Sequence, residues 1–97
     1  MRIISRKCLR EFSTRHPEAI GPLDAWWAEA RTAKWKSFND LKRRYHTADQ
    51  VAGNLVIFNI GGNKYRLILK IDYRAEMGFV KFIGNHAEYD KIDVKNL

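Results

Sequence analysis

His86, Glu88, Tyr89 and Asp90 have the residue types and spacing for proton transfer. Asn85 followed three residues later by Glu88 has the pattern of a helix N-cap with a returning carboxylate, so a helical turn is expected to open here. In such a turn His86, Tyr89 and Asp90 share one face, because residues three and four apart are neighbours. A histidine beside a carboxylate and a phenol can pass a proton, the carboxylate orienting the ring and favouring its cationic form. The same residues also suit a structural role: Glu88 and Asp90 complement a helix N-terminus, and Tyr89 can pack on a sheet.

A second group is cationic. In the run Asn63 to Ile71, period-two alternation puts Lys64, Arg66, Ile68 and Lys70 on one face of a strand, which reads either as a phosphate-gripping stripe or as a solvated sheet face. A cation that holds a phosphate and a histidine that moves a proton are the minimal set for metal-free RNA cleavage. In that reaction the 2′-OH attacks the adjacent phosphate, a base takes its proton, an acid protonates the leaving 5′-oxygen, and cations stabilise the charge on phosphorus.

The elements that must position these groups follow from local signals. Arg2 to Ile4 is a short extended start. Ser5 is expected to cap a helix carrying Cys8, Leu9 and Phe12, closed by Pro17. Pro22 is expected to open a second helix with Leu23, Trp26, Trp27, Ala30 and Ala33 as its apolar stripe, acids early and Arg31, Lys34 and Lys36 late. The two helices form an antiparallel hairpin in this reading, and Ser37 to Asp40 starts a third helical piece. Asn54 to Ile60, Gly61-Gly62 and Asn63 to Ile71 read as a β-hairpin with a two-residue loop, pairing Phe58 with Tyr65 and Ile57 with Arg66. Tyr65, Leu67, Leu69 and Ile71 then face the helices with Val56, Phe58 and Ile60. The opposite face, with Leu55, Ile57, Asn59 and the cations, is expected to be open. Gly78 to Ile83 adds a third strand. The fold class is α+β: a small antiparallel β-sheet, made of an N-terminal strand and a three-stranded meander, on two helices, with a short C-terminal helix.

Composition sets the frame. A chain of 97 residues with 45% hydrophobic residues is the size of one globular domain, expected to span 1–97. No apolar run approaches the ~20 residues that cross a bilayer, and MRIISRKCLR has no signal-peptide core, so no membrane role and a cytoplasmic location are expected. The net charge of +7 is uneven: residues 1–44 carry +6 and residues 45–97 carry +1. Such an excess predicts attraction to a polyanion. Arg6, Lys7, Arg10, Lys34, Lys36, Lys42, Arg43 and Arg44 are the surface candidates.

Other motifs carry less. Cys8 is the only cysteine, which excludes an intrachain disulfide and a cysteine-based zinc site; it reads as a small buried hydrophobe. His16 and His46 read as structural or solvent-exposed. The three histidines lack metal-binding spacing and there is no G-x-x-x-x-G-K loop, so neither metal nor cofactor is expected. Trp26, Trp27 and Trp35 can stack bases, but on an amphipathic helix Trp26 or Trp27 belongs to the core.

Three segments, Ile3-Ile-Ser-Arg-Lys7, Val56-Ile-Phe-Asn-Ile-Gly-Gly-Asn-Lys-Tyr-Arg66 and Phe82-Ile-Gly-Asn-His-Ala-Glu-Tyr-Asp-Lys-Ile92, together resemble the HigB-type toxins of the RelE superfamily. The resemblance runs over nearly the whole chain. It implies a RelE-like fold and the toxin half of a type II toxin–antitoxin pair that cuts mRNA in the 30S ribosomal A site. It also implies a helix-turn-helix, HigA-like antitoxin, and no DNA binding by this chain alone. Arg66 matches the arginine of the N-K-Y-R motif that stabilises the phosphate. His86 and Tyr89 match the H-x-E-Y-D motif that supplies the acid and an aromatic contact. Lys64, Lys70, Lys81 and Asn59 are substrate-binding candidates, and Glu88, Asp90 or a lysine stay open as general base. Asn85 stands where many relatives have threonine, another capping residue. The competing reading is a non-catalytic module that binds RNA or an antitoxin; it predicts growth arrest that survives loss of His86 and leaves mRNA uncut.

Overall fold

The computed structural model describes residues 1–97. In chain order the elements are β1 (Arg2–Ile4), α1 (Arg6–Arg15), a 3-10 turn (Pro17–Ala19), α2 (Ile20–Ala30), α3 (Phe38–Arg44), β2 (Asp49–Val51), β3 (Leu55–Ile60), β4 (Tyr65–Asp72), β5 (Met77–Asn85), α4 (His86–Asp90) and a 3-10 turn (Val94–Asn96). The strands form one mixed sheet in the order β1-β5-β4-β3-β2, with β1 parallel to β5 and the other pairs antiparallel. The α+β class expected from the patterning is the one found, but the sheet is mixed where an antiparallel one was expected, because β1 pairs with β5 in parallel. β2 is additional: three residues pair with the start of β3 and make a fifth strand that its polar sequence Asp-Gln-Val hid.

The helices differ from expectation at their ends. Ser5 is the N-cap of α1 but makes no side-chain capping bond. Pro17 opens the 3-10 turn that leads into α2, so α2 begins at Ile20 and Pro22 lies inside its first turn. Proline costs no hydrogen bond there, because the first amides of a helix have no partner within it. At the other end Thr32 Oγ1 donates to the Glu29 carbonyl at 3.1 Å, and the helix stops at Ala30. Lys34 and Lys36 therefore lie beyond α2, and neither end of that helix carries the expected dipole-complementing charges. α3 starts as expected, with the Ser37 hydroxyl accepting from the Asp40 amide at 3.3 Å.

The hairpin register is offset from expectation. Gly61, Gly62 and Asn63 all have positive φ (65°, 61° and 80°), so the loop takes four residues, 61–64, instead of two. β3 and β4 then pair Ile60 with Tyr65, Asn59 with Arg66 and Phe58 with Leu67. The offset is an even number of residues, so every side chain keeps its expected face, since a strand alternates with period two. Lys64 alone is lost from the stripe: it sits in the loop.

One face of the sheet packs on the helices. Phe12, Leu23, Trp26 and Leu41 meet Val56, Phe58, Leu67, Leu69 and Ile71, all nearly or completely buried. The opposite face is not open throughout, as the sequence suggested. Leu55, Ile57 and Ile68 form a second apolar cluster covered by Val51, Phe82, Tyr89, Ile92, Val94 and Leu97. The segment after β5 folds back over the β3–β4 half of that face, because three neighbouring aliphatic side chains would otherwise face water.

Candidate active site

β5 runs straight into α4, and the junction is closed by two reciprocal hydrogen bonds. The Glu88 amide donates to Asn85 Oδ1 at 2.8 Å, and the Asn85 amide donates to Glu88 Oε1 at 3.0 Å. This capping box needs the Asn and Glu spacing seen in the sequence. It ties one Glu88 oxygen to the backbone and leaves exposed Asp90 as the freer carboxylate of the pair.

Arg66 stands beside Gly84 on β5 and Asn59 on β3. Its guanidinium carbon lies 4.4 Å from the centroid of the Tyr89 ring. No carboxylate lies within ion-pair distance of it, and its buried Nε has no hydrogen-bond partner. A cation stacked on an aromatic face without an acid partner keeps its full charge for an anion. Gly84 makes the arrangement fit: a Cβ there would come within 2.5 Å of Phe82 Cζ and 3.1 Å of Glu88 Cβ. The Phe82 ring lies against Tyr89, with centroids 6.3 Å apart.

His86 departs from expectation. Its Nε2 is 2.5 Å from the carbonyl oxygen of Asn63, and no carboxylate pairs with the ring. A carbonyl only accepts, so Nε2 carries the proton and Nδ1 is the nitrogen left to give or take one. Asn63, at φ 80°, presents that carbonyl from the β3–β4 loop. Arg66 and Tyr89 are thus in contact, and His86 lies at the same end of β4 and β5, held by the β3–β4 loop. Asn63, Gly84 and Phe82 complete the site, and of these only the Gly-Gly-Asn loop left a trace in the sequence.

Of the remaining candidates, Lys70 and Lys81 are exposed on β4 and β5, with Lys81 the extra residue of a β-bulge opposite Ile68 and Leu69. Asn59 Nδ2 donates to the Thr47 carbonyl at 3.1 Å, which anchors the β2–β3 edge, while its buried Oδ1 is unpartnered. No group of three or more His, Cys, Asp or Glu side chains converges on one point. Arg66, His86 and Tyr89 are each half-buried.

Residues 19–92 match the family model described as HigB_toxin, RelE-like toxic component of a toxin-antitoxin system. The chain belongs to the HigB toxin family. A protein named mRNA interferase HigB from Escherichia coli strain CFT073 is 27% identical over 94 residues, covering 95% of this chain and 91% of that one. The mRNA interferase toxin HigB of Escherichia coli strain K12 is 23% identical over 92 residues, covering 93% and 88%. As the toxin of such a system, the HigB chain has an antitoxin as its partner.

The basic surface of this HigB toxin is more occupied than its charge implied. Arg44 grips Glu29, its Nη2 donating to Oε2 at 2.7 Å, and Arg43 pairs with Asp40 at 3.3 Å. Lys42 Nζ donates to the Ala48 carbonyl at 2.5 Å, and Lys7 lies 3.8 Å from Glu11. Arg6 and Arg31 lie 4.4 and 5.0 Å from the Trp27 ring, which leaves that tryptophan unavailable for a base. Arg10, Lys34 and Lys36 remain without an acid partner. Trp26 is core. Cys8 packs against the core, and burial, with Glu11 adding to it, pushes its thiol above the usual range. His16 stacks on Phe12 at 4.4 Å, and His46 Nε2 meets the Arg43 carbonyl at 2.7 Å.

Proposed function

We propose that the mRNA interferase activity of this HigB toxin is ribosome-dependent and proceeds by metal-free attack of the 2′-OH on the adjacent phosphate. The observation that carries this reading is Arg66, a guanidinium braced on Tyr89 with no acid to neutralise it. On this reading Arg66 holds the scissile phosphate and stabilises the charge that grows on it. His86, its Nε2 proton held by Asn63, delivers a proton from Nδ1 to the leaving 5′-oxygen. Asp90, one turn along from His86, is the favoured general base. Lys70 and Lys81 contact flanking phosphates, with Lys64 at the loop edge.

The ribosome supplies the rest of the setting. Half-buried Arg66, His86 and Tyr89 keep part of their surface for a substrate presented by another particle, here mRNA in the 30S A site. Arg10, Lys34 and Lys36 are the cations left for ribosomal RNA. The antitoxin is proposed to be a helix-turn-helix protein of the HigA kind, encoded by a neighbouring reading frame, and the toxin acts in the cytoplasm.

The test is to incubate the protein with one mRNA, alone and with ribosomes that are translating it, and to determine the chemistry of the new ends. Cutting only with translating ribosomes, leaving a 2′,3′-cyclic phosphate and a 5′-hydroxyl, is expected, because the 2′-OH is the nucleophile and the 5′-oxygen leaves. Equal cutting of free mRNA would overturn ribosome dependence, and products ending in a 3′-hydroxyl and a 5′-phosphate would overturn attack by the 2′-OH.

A further inference from the structure

The sheet face that carries Arg66 continues past it. Cross-strand partners share a face, so Arg66 with Gly84, Ile68 with Phe82, and Lys70 with Phe79 lie along one side of β4 and β5, and Ile4 of β1 joins Phe79. The C-terminal segment covers Leu55, Ile57 and Ile68 on this side, and neither Phe79 nor Ile4 belongs to that cluster. Phe79 is 36% exposed, one of two large apolar side chains that open to solvent in the fold. It stands opposite exposed Lys70 across the ladder. The nearest acid on that side, Asp72, turns into its own hairpin, its Oδ1 accepting from the Ala75 amide at 3.0 Å. Tyr89 of α4 and then Phe82 and Phe79 of β5 thus follow one another along this side, beginning at Arg66 and flanked by Lys70.

We infer that this line is a track for single-stranded RNA, with Phe79 stacking on a base a few nucleotides from the scissile phosphate. The inference rests on the mRNA-cleaving reading above and adds a specificity-determining residue to it. Phe79 lies about 13 Å along the strand from Arg66, four residues at ~3.3 Å each. Aromatic side chains interleaved with cations are what a strand of splayed bases and phosphates requires, because each base offers a π face and each phosphate a charge. An antitoxin segment is the other candidate occupant. The continuity with Arg66 and the Lys70 ammonium beside Phe79 favour RNA.

The experiment compares wild type, Phe79→Ala, Phe79→Leu, Phe79→Tyr and Arg66→Ala in a translating extract, reading the cleavage rate of one reporter mRNA at limiting toxin and mapping its 5′ ends. Phe79→Ala is expected to cut about 5- to 100-fold more slowly, the range for losing one base–aromatic stack. Phe79→Leu is expected to be as slow as Phe79→Ala, and Phe79→Tyr to stay within about twofold of wild type, since stacking needs a ring. Raising the toxin concentration should restore the rate of Phe79→Ala, and all three Phe79 variants should melt within a few degrees of wild type. Wild-type cutting by Phe79→Ala with Arg66→Ala inactive overturns the track alone, as does Phe79→Leu behaving like wild type. Normal cutting by Phe79→Ala with loss of antitoxin capture assigns the face to the antitoxin. Wild-type cutting by Arg66→Ala overturns the underlying reading instead.

Discussion

The guanidinium of Arg66 lies 4.4 Å from the ring of Tyr89, a residue 23 positions further along the chain and on a different element. The contact joins the start of β4 to α4, the helical turn that directly follows β5. It explains why a cation can stand half-buried without an acid: the ring quadrupole holds it while leaving its charge unneutralised.

The first prediction follows from that contact. Tyr89→Phe keeps the aromatic face and should keep the alignment of Arg66, whereas Tyr89→Ala should lower the cleavage rate by about 2- to 30-fold through loss of a cation–π contact of ~0.5–2 kcal/mol. Single-turnover rates on programmed ribosomes distinguish the two variants. A Tyr89→Phe defect as deep as that of Tyr89→Ala would show that the hydroxyl has its own role.

His86 allows anchoring and proton transfer to be separated. Glutamine can still donate from its amide to the Asn63 carbonyl but cannot release a proton at neutral pH. His86→Gln is expected to lose about 10²- to 10⁴-fold in cleavage, the usual worth of a general acid, while keeping the wild-type melting temperature. Nitrogen-15 NMR of the free protein should find the proton of the neutral ring on Nε2.

Gly84 is predicted to tolerate no side chain. A methyl group there meets Phe82 and the Glu88 stem. Gly84→Ala should therefore shift the Phe82 ring and strain the α4 cap, costing about 1–3 kcal/mol as overpacking does. Thermal melting and cleavage rate should fall together.

The alkaline limb of stability should be led by Tyr45, with Tyr65, raised by its hydrogen bond to Glu18, and Tyr73, raised by burial, adding to it. Burial, with the Glu29 carboxylate adding to it, pushes the Tyr45 phenol up to about 12 from 10.0. The raised value means that the folded state favours the neutral phenol. Its contribution is complete below pH 10 and is lost as pH rises toward 12. Tyr45→Phe removes a hydroxyl that has no hydrogen-bond partner, so it should change stability little at pH 7 and flatten the fall above pH 10 in denaturant melts.

Much of this arrangement was legible in the residues themselves. The capping box at Asn85 and Glu88 follows from side-chain chemistry within one turn, and the sorting of β3 and β4 into two faces survives an even register offset because alternation has period two. What the sequence concealed depends on contacts far apart in the chain. A third left-handed residue, Asn63, lengthened the hairpin loop and brought a carbonyl to His86. The cover over Leu55, Ile57 and Ile68 comes from residues up to forty positions later. β2 takes its place by hydrogen-bonding to the β3 edge and has no apolar pattern of its own. The charge count pointed to the N-terminal half, yet ion pairs within the fold occupy several of those cations.

The central claim is that Arg66 and His86 cut mRNA, and mapping mRNA 5′ ends after brief expression in cells tests it most directly. Wild type should create new ends within translated frames, and Arg66→Ala and His86→Ala proteins of wild-type melting temperature and equal abundance should create none. New ends at the same positions and frequency in either variant would contradict the account.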